Sequence, residues 1–155
     1  MNTMISLRQR IANLSASLEW LPPLLLRVVL GVTFALTGWG KLHNLEQVTQ
    51  FFDSLGIPAA SVQAPFVAGV EFVGGILILV GLGTRVAAAL LVAVMAVAIA
   101  TAIWPKSSFT ELLGSIEAVY LAAFAYLAVK GAGAVSLDHV VSRFGSADRA
   151  QVHAA

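Results

Sequence analysis

Glu71 interrupts an otherwise apolar run, "FVAGVEFVGGILILVGLG", from Phe66 to Gly83. A carboxyl group in such surroundings is a candidate proton donor or acceptor toward a redox ligand. Three further charged groups fall within or at the rim of comparable runs: Arg27, Lys41 and Glu117. Together the four sum to zero, as a buried cluster should, because unpaired charge in lipid is strongly disfavoured. Two readings stand side by side: ion pairs that fix the register of packed helices, or a polar pocket in which Glu71, Lys41 and Arg27 meet a ligand. The histidines, His43, His139 and His153, lie outside the apolar runs, so a haem held by two histidines is not expected. No residue cluster has metal-ligand spacing, and no metal is assigned. The absence of cysteine removes thiol redox chemistry, disulfides and a persulfide carried on this chain.

The elements that must hold these residues are long and apolar. Of 155 residues, 59% are hydrophobic and 11% charged, against about half and about a quarter in a soluble domain. A net charge of +1 without a basic tract argues against nucleic acid. Crossing a bilayer takes about 20 apolar residues in a helix. Four stretches qualify: Pro22 to Gly40, Val62 to Leu82, Arg85 to Trp104 before Pro105, and Glu111 to Lys130 before Gly131. The resulting expectation is an all-α integral membrane four-helix bundle over residues 21–140. An amphipathic interfacial helix over 1–20 precedes it, with Leu7, Ile11, Leu14, Leu18 and Leu21 at helical spacing, and a flexible tail over 141–155 follows. Arg8, Arg10, Arg85, Lys130, Arg143 and Arg149 fall on one side of such a bundle, and Lys41 and Lys106 on the other. The positive-inside rule then places both termini in the cytoplasm.

Positions three and four apart share a helix face. On the second stretch this aligns Ala64, Ala68, Glu71, Gly75 and Ile78, with Gly74 beside them. Small residues let a neighbouring backbone approach, so Glu71 turns toward another helix and away from lipid. On the first stretch Arg27, Gly31, Phe34, Gly38 and Lys41 align, and on the fourth Gly114, Glu117, Leu121 and Phe124, with Tyr120 adjacent. At 1.5 Å per residue, Arg27 and Glu71 differ in height by about 10 Å, a gap two extended side chains or a water can close. Lys41, at the rim, is placed to reach Glu117. Trp39 and Trp104 suit the bilayer interface, though Trp39 also sits among Gly38, Gly40 and Lys41.

Three pieces, "RVVLGVTFALTGWGKL" (Arg27 to Leu42), "VEFVGGILILVGLGTRVAA" (Val70 to Ala88) and "GAGAVSLDH" (Gly131 to His139), together resemble the DoxX family of small bacterial membrane proteins. The resemblance covers about Leu24 to Val140 and implies a four-helix membrane bundle associated with redox chemistry. Some relatives belong to a thiosulfate:quinone oxidoreductase, and others are membrane partners of oxidant-defence or sulfur-transfer proteins. It implies importance for Arg27, Gly38, Lys41, Glu71, Gly74, Gly75, Arg85, Ser136 and Asp138.

These readings converge on a multi-pass protein of the bacterial inner membrane, a redox-associated subunit. Its site would take a quinone, with Glu71, Lys41 and Arg27 at the head group and Gly38, Trp39, Gly74, Gly75, Glu117 and Tyr120 around it. Arg85 and Asp138 are expected to form a structural ion pair, with Arg27 as the alternative partner for Asp138. Expected partners are the bilayer and a soluble or membrane oxidoreductase; a homo-oligomer is allowed. The alternatives are a non-catalytic scaffold docking a soluble oxidoreductase, and a small transporter or lipid-binding protein.

Overall fold

The computed structural model describes residue 13 and residues 16–143. Most of the expected interfacial helix over 1–20 and of the tail over 141–155 lies outside the described residues. Helix α1 (Leu21–His43) opens on Pro22 and Pro23, whose missing N–H groups fall where a helix has no acceptor to offer. Helix α2 (Leu45–Ser54) is a short amphipathic segment. Helix α3 (Ala60–Val80) ends at Gly81, whose φ of +73° suits glycine; the Leu82 amide reaches back to the Leu77 carbonyl and closes the turn. Helix α4 (Thr84–Ala98) runs on through a π-helical turn (Ile99–Ile103) and a 3-10 turn (Trp104–Lys106). Pro105 explains that irregular exit, because it lacks a donor and crowds the preceding turn. Helices α5 (Phe109–Leu113) and α6 (Ile116–Lys130) follow, and a last helix covers 137–143.

Helices α1 and α3, and α4 with its extension to Lys106, are long and apolar enough to cross a membrane. Their outer faces carry Leu36, Phe66 and Val86, 65–68% exposed. Large apolar surfaces of this kind require a lipid solvent, and the chain is an all-α membrane protein. The fourth expected span differs. Instead of one helix over 111–130, the chain breaks at Gly114 and Ser115, leaving a 15-residue α6, about 22 Å long against a hydrocarbon core of about 30 Å. The break comes from serines. Ser115 accepts from the Ala118 amide and caps α6. Ser108 forms a reciprocal capping box with Glu111 and starts the separate α5.

Packing is closest between α1 and α3. A Cβ added at Gly31, Gly38 or Gly75 would lie under 3.0 Å from atoms of the facing helix, mostly backbone. Helices α4 and α6 make the second close pair. The core between the pairs holds Leu30, Phe34, Ile78, Leu91, Met95, Phe124 and Leu127. Phe34 ties α1 to α6 by edge-on contacts with Tyr120 and Phe124, at centroid distances of 5.2 and 4.7 Å.

Gly38→Ala or Gly75→Ala should force the helices apart and cost about 1–3 kcal/mol. Gly40→Ala and Gly69→Ala, which meet nothing within 4 Å, should be tolerated; thermal melting in detergent reads the contrast. The hydrogen bonds from Ser108 hold the Glu111 carboxyl below its ordinary pKa. The cap is therefore intact above the ordinary glutamate range and is lost as pH falls through the lower, folded value. Amide exchange at Ser108 and Glu111 should quicken in that window, relative to the neighbouring turns.

Candidate functional site

The inward carboxylate is where the sequence placed it. Glu71 is 2% exposed, and its Oε1 accepts from the Lys41 ammonium at 2.7 Å. The close approach at Gly38 makes this possible: a Cβ there would collide with the Phe72 backbone, so α1 and α3 run nearly in contact one turn from Lys41. Oε2 is also buried and has no hydrogen-bond partner. The Lys41 side chain is 30% exposed, so the pair opens on one side. Beside it the Trp39 ring lies tilted against His43 and Phe72, at 4.2 and 5.5 Å between centroids. The His43 Nδ1 donates to the Trp39 carbonyl, which fixes the proton on that nitrogen. His43 and Phe72 were not among the expected site residues. The spacing of four between Trp39 and His43 on one helix was the available signal.

Arg27 belongs elsewhere. It does not approach Glu71; its guanidinium lies a further seven to eight residues along α3. There Nε donates to the Ile78 carbonyl at 2.9 Å and Nη2 to the Leu79 carbonyl at 3.0 Å. Nη1 donates to Ala132 at 3.0 Å and to Val135. Ile78 and Leu79 are in the last turn of α3, whose carbonyls form the negative end of the helix dipole; the Ile78 carbonyl also accepts from the Gly81 amide at 3.2 Å. Arg27 is 2% exposed, and its guanidinium clamps the end of α3 to the segment after α6.

The expected Arg85–Asp138 pair is also absent among the described residues, as is a direct Arg27–Asp138 bond. Asp138 instead accepts from the amides of Gly83 at 2.7 Å and Thr84 at 3.1 Å. Its own amide donates to the Gly81 carbonyl at 2.8 Å. The first amides of α4 are unpaired within the helix and favour a carboxylate, so they take it in preference to the solvated Arg85 side chain. Ser136 caps the last helix through the His139 amide.

The glycines expected at a ligand are closed by packing. Gly38 and Gly75 meet the facing backbones of α3 and α1, and Gly74 meets the Leu91 side chain. Lys41 reaches Glu71 rather than Glu117. Glu117 is half-buried in the first turn of α6, with no hydrogen-bonding partner among the described residues. Tyr120 packs on Phe34.

The sequence profile of DoxX matches residues 23–104, more than half of the chain. The chain belongs to the DoxX family. The matched range contains Arg27, Lys41, Glu71 and Arg85 and ends before Asp138. A protein of Bacillus subtilis (strain 168), "Putative oxidoreductase CatD", is 36% identical over 120 residues, 76% of this chain and 85% of the relative. "Inner membrane protein YqjF" of Escherichia coli (strain K12) is 29% identical over 130 residues, 81% of this chain and 96% of that protein. No solved structure matches.

In this DoxX chain the Arg27 clamp should dominate stability. Hydrogen bonds to charged groups contribute roughly 1.5–3 kcal/mol each, so Arg27→Met should remove most of a total of about 5–15 kcal/mol. Arg27→Lys should be intermediate, since an ammonium cannot match the planar fork. Asp138→Asn should cost about 1–2 kcal/mol by weakening one charge-assisted cap. Melting midpoints of the purified variants give the ranking.

Proposed function

We propose that this protein is an inner-membrane redox subunit in which Lys41 and Glu71 bind the polar head of a quinone-like ligand. The observation that carries the reading is the unpartnered Glu71 Oε2, buried beside a lysine that remains partly open. A buried polar atom left unpaired costs about 1–3 kcal/mol, and a ligand hydroxyl donating to it would recover that cost. The site residues fit such a head group: Lys41 can donate to a carbonyl oxygen, Glu71 can give or take a proton at Oε2, and the exposed Trp39 ring offers an apolar face. A quinone supplies two-electron, two-proton chemistry when bound. The chain has no cysteine, so the electrons would come from a partner oxidoreductase. The oxidoreductase name of the Bacillus subtilis relative and the inner-membrane name of the Escherichia coli relative agree with this reading. Both termini lie in the cytoplasm, by the distribution of lysine and arginine.

Protein purified in a mild detergent should carry extractable quinone near one per chain. Glu71→Gln keeps an acceptor for Lys41 and should leave melting close to wild type while slowing quinone reduction by a reconstituted partner by about 100-fold or more. Absence of quinone, together with a large loss of stability in Glu71→Gln, would favour an ion pair that only holds the helices and a scaffold role for the chain.

A further inference from the structure

The opposite end of the bundle carries a second feature that the Lys41–Glu71 reading does not use. A cleft of about 410 Å³ opens between the α3–α4 turn and the segment after α6. Its polar side chains are Arg85, Lys130, His139, Ser136 and Asp138. Both Asp138 oxygens are spent on backbone amides. Among the described residues, the Arg85 guanidinium and the Lys130 ammonium have no acceptor at all. The cleft is therefore net positive, with two uncommitted cations on its walls.

Local helix electrostatics accounts for one of them only. Lys130 closes α6, where a cation suits the dipole. Arg85 lies in the first turn of α4, where a cation is disfavoured. Val86 lines the same cleft, and Val129 precedes Lys130; both face outward, with Val129 at 74% exposure. Apolar surface that must meet acyl chains thus adjoins the cationic walls, at the level where α4 begins and α6 ends. We infer that the cleft binds the anionic phosphate of a lipid head group, with Arg85 and Lys130 as its ligands and the acyl chains along Val86 and Val129. A free phosphate shares the charge but has no use for the apolar wall.

The test uses the full-length protein in a maltoside detergent. Melting is followed with dioctanoyl phosphatidylglycerol, dioctanoyl phosphatidylcholine or inorganic phosphate. The phosphatidylglycerol should raise the midpoint saturably, and the other two should not. Each basic residue near an anionic lipid contributes enough that the Arg85→Gln, Lys130→Gln double variant should bind it roughly thirty-fold more weakly. Its ligand-free midpoint should hold, because neither side chain bonds to another described residue. Arg143→Gln, also in the C-terminal segment but outside the cleft, should bind as wild type. Equal stabilisation by phosphatidylcholine, unchanged affinity in the double variant, or the same loss in Arg143→Gln would overturn the site. Stabilisation by inorganic phosphate equal to that by phosphatidylglycerol would overturn the lipid assignment and leave a soluble-anion cleft.

Discussion

The Arg27 guanidinium is the interaction on which the fold depends. It is out of water and reaches carbonyls from the end of α3 and from the segment after α6, up to 108 residues away in sequence. Its direct hydrogen bonds all go to backbone oxygens, and these include carbonyls in the last turn of α3. Across the same turn, Asp138 answers the unpaired amides that open α4. One cation and one anion thus neutralise two helix ends of opposite polarity. Gly81 makes the arrangement fit: its backbone is left-handed, and a Cβ there would strike the Arg27 guanidinium and lie 2.7 Å from the Ser136 Cβ.

The other end of the α1–α3 pair is built on the opposite principle. There Glu71 has one oxygen engaged and one orphaned, and its lysine partner is partly open. A fully satisfied buried charge rigidifies its surroundings, while a half-satisfied one retains free energy that a ligand can claim. The same two helices therefore hold a clamp and a site, with Arg27 and Lys41 toward the two ends of α1 and only seven to eight residues, about 10–12 Å, between Glu71 and the clamped carbonyls on α3. The glycine contacts between them keep both in register.

Much of this was legible because membrane helices bury one narrow face. The stripe through Ala64, Ala68, Glu71, Gly75 and Ile78 is buried as its spacing indicates, and Arg27, Gly31, Phe34 and Gly38 are buried on α1. Side-chain periodicity specifies which way a residue turns. It does not specify its partner. Arg27 looked like a counter-ion for Glu71 because backbone carbonyls have no letter in a sequence. Asp138 looked like a partner for Arg85 for the same reason, since amides at a helix start are equally silent. The interrupted fourth helix did have a signal, in Ser108 followed three residues later by Glu111 and in Ser115, but hydropathy averaged over the run conceals hydroxyl caps.

The order in which the Arg27 clamp's parts occur in the chain has a consequence for biogenesis. When α1 first leaves the translocon, its arginine faces acyl chains with no acceptor. Two acceptors arrive once the α3 hairpin has been made, and the remaining two only after the ribosome has passed residue 135. Insertion of the first helix and completion of the bundle are thus separated by most of the translation time. Until the C-terminal segment docks, the nascent protein holds a charge that its own later residues must rescue.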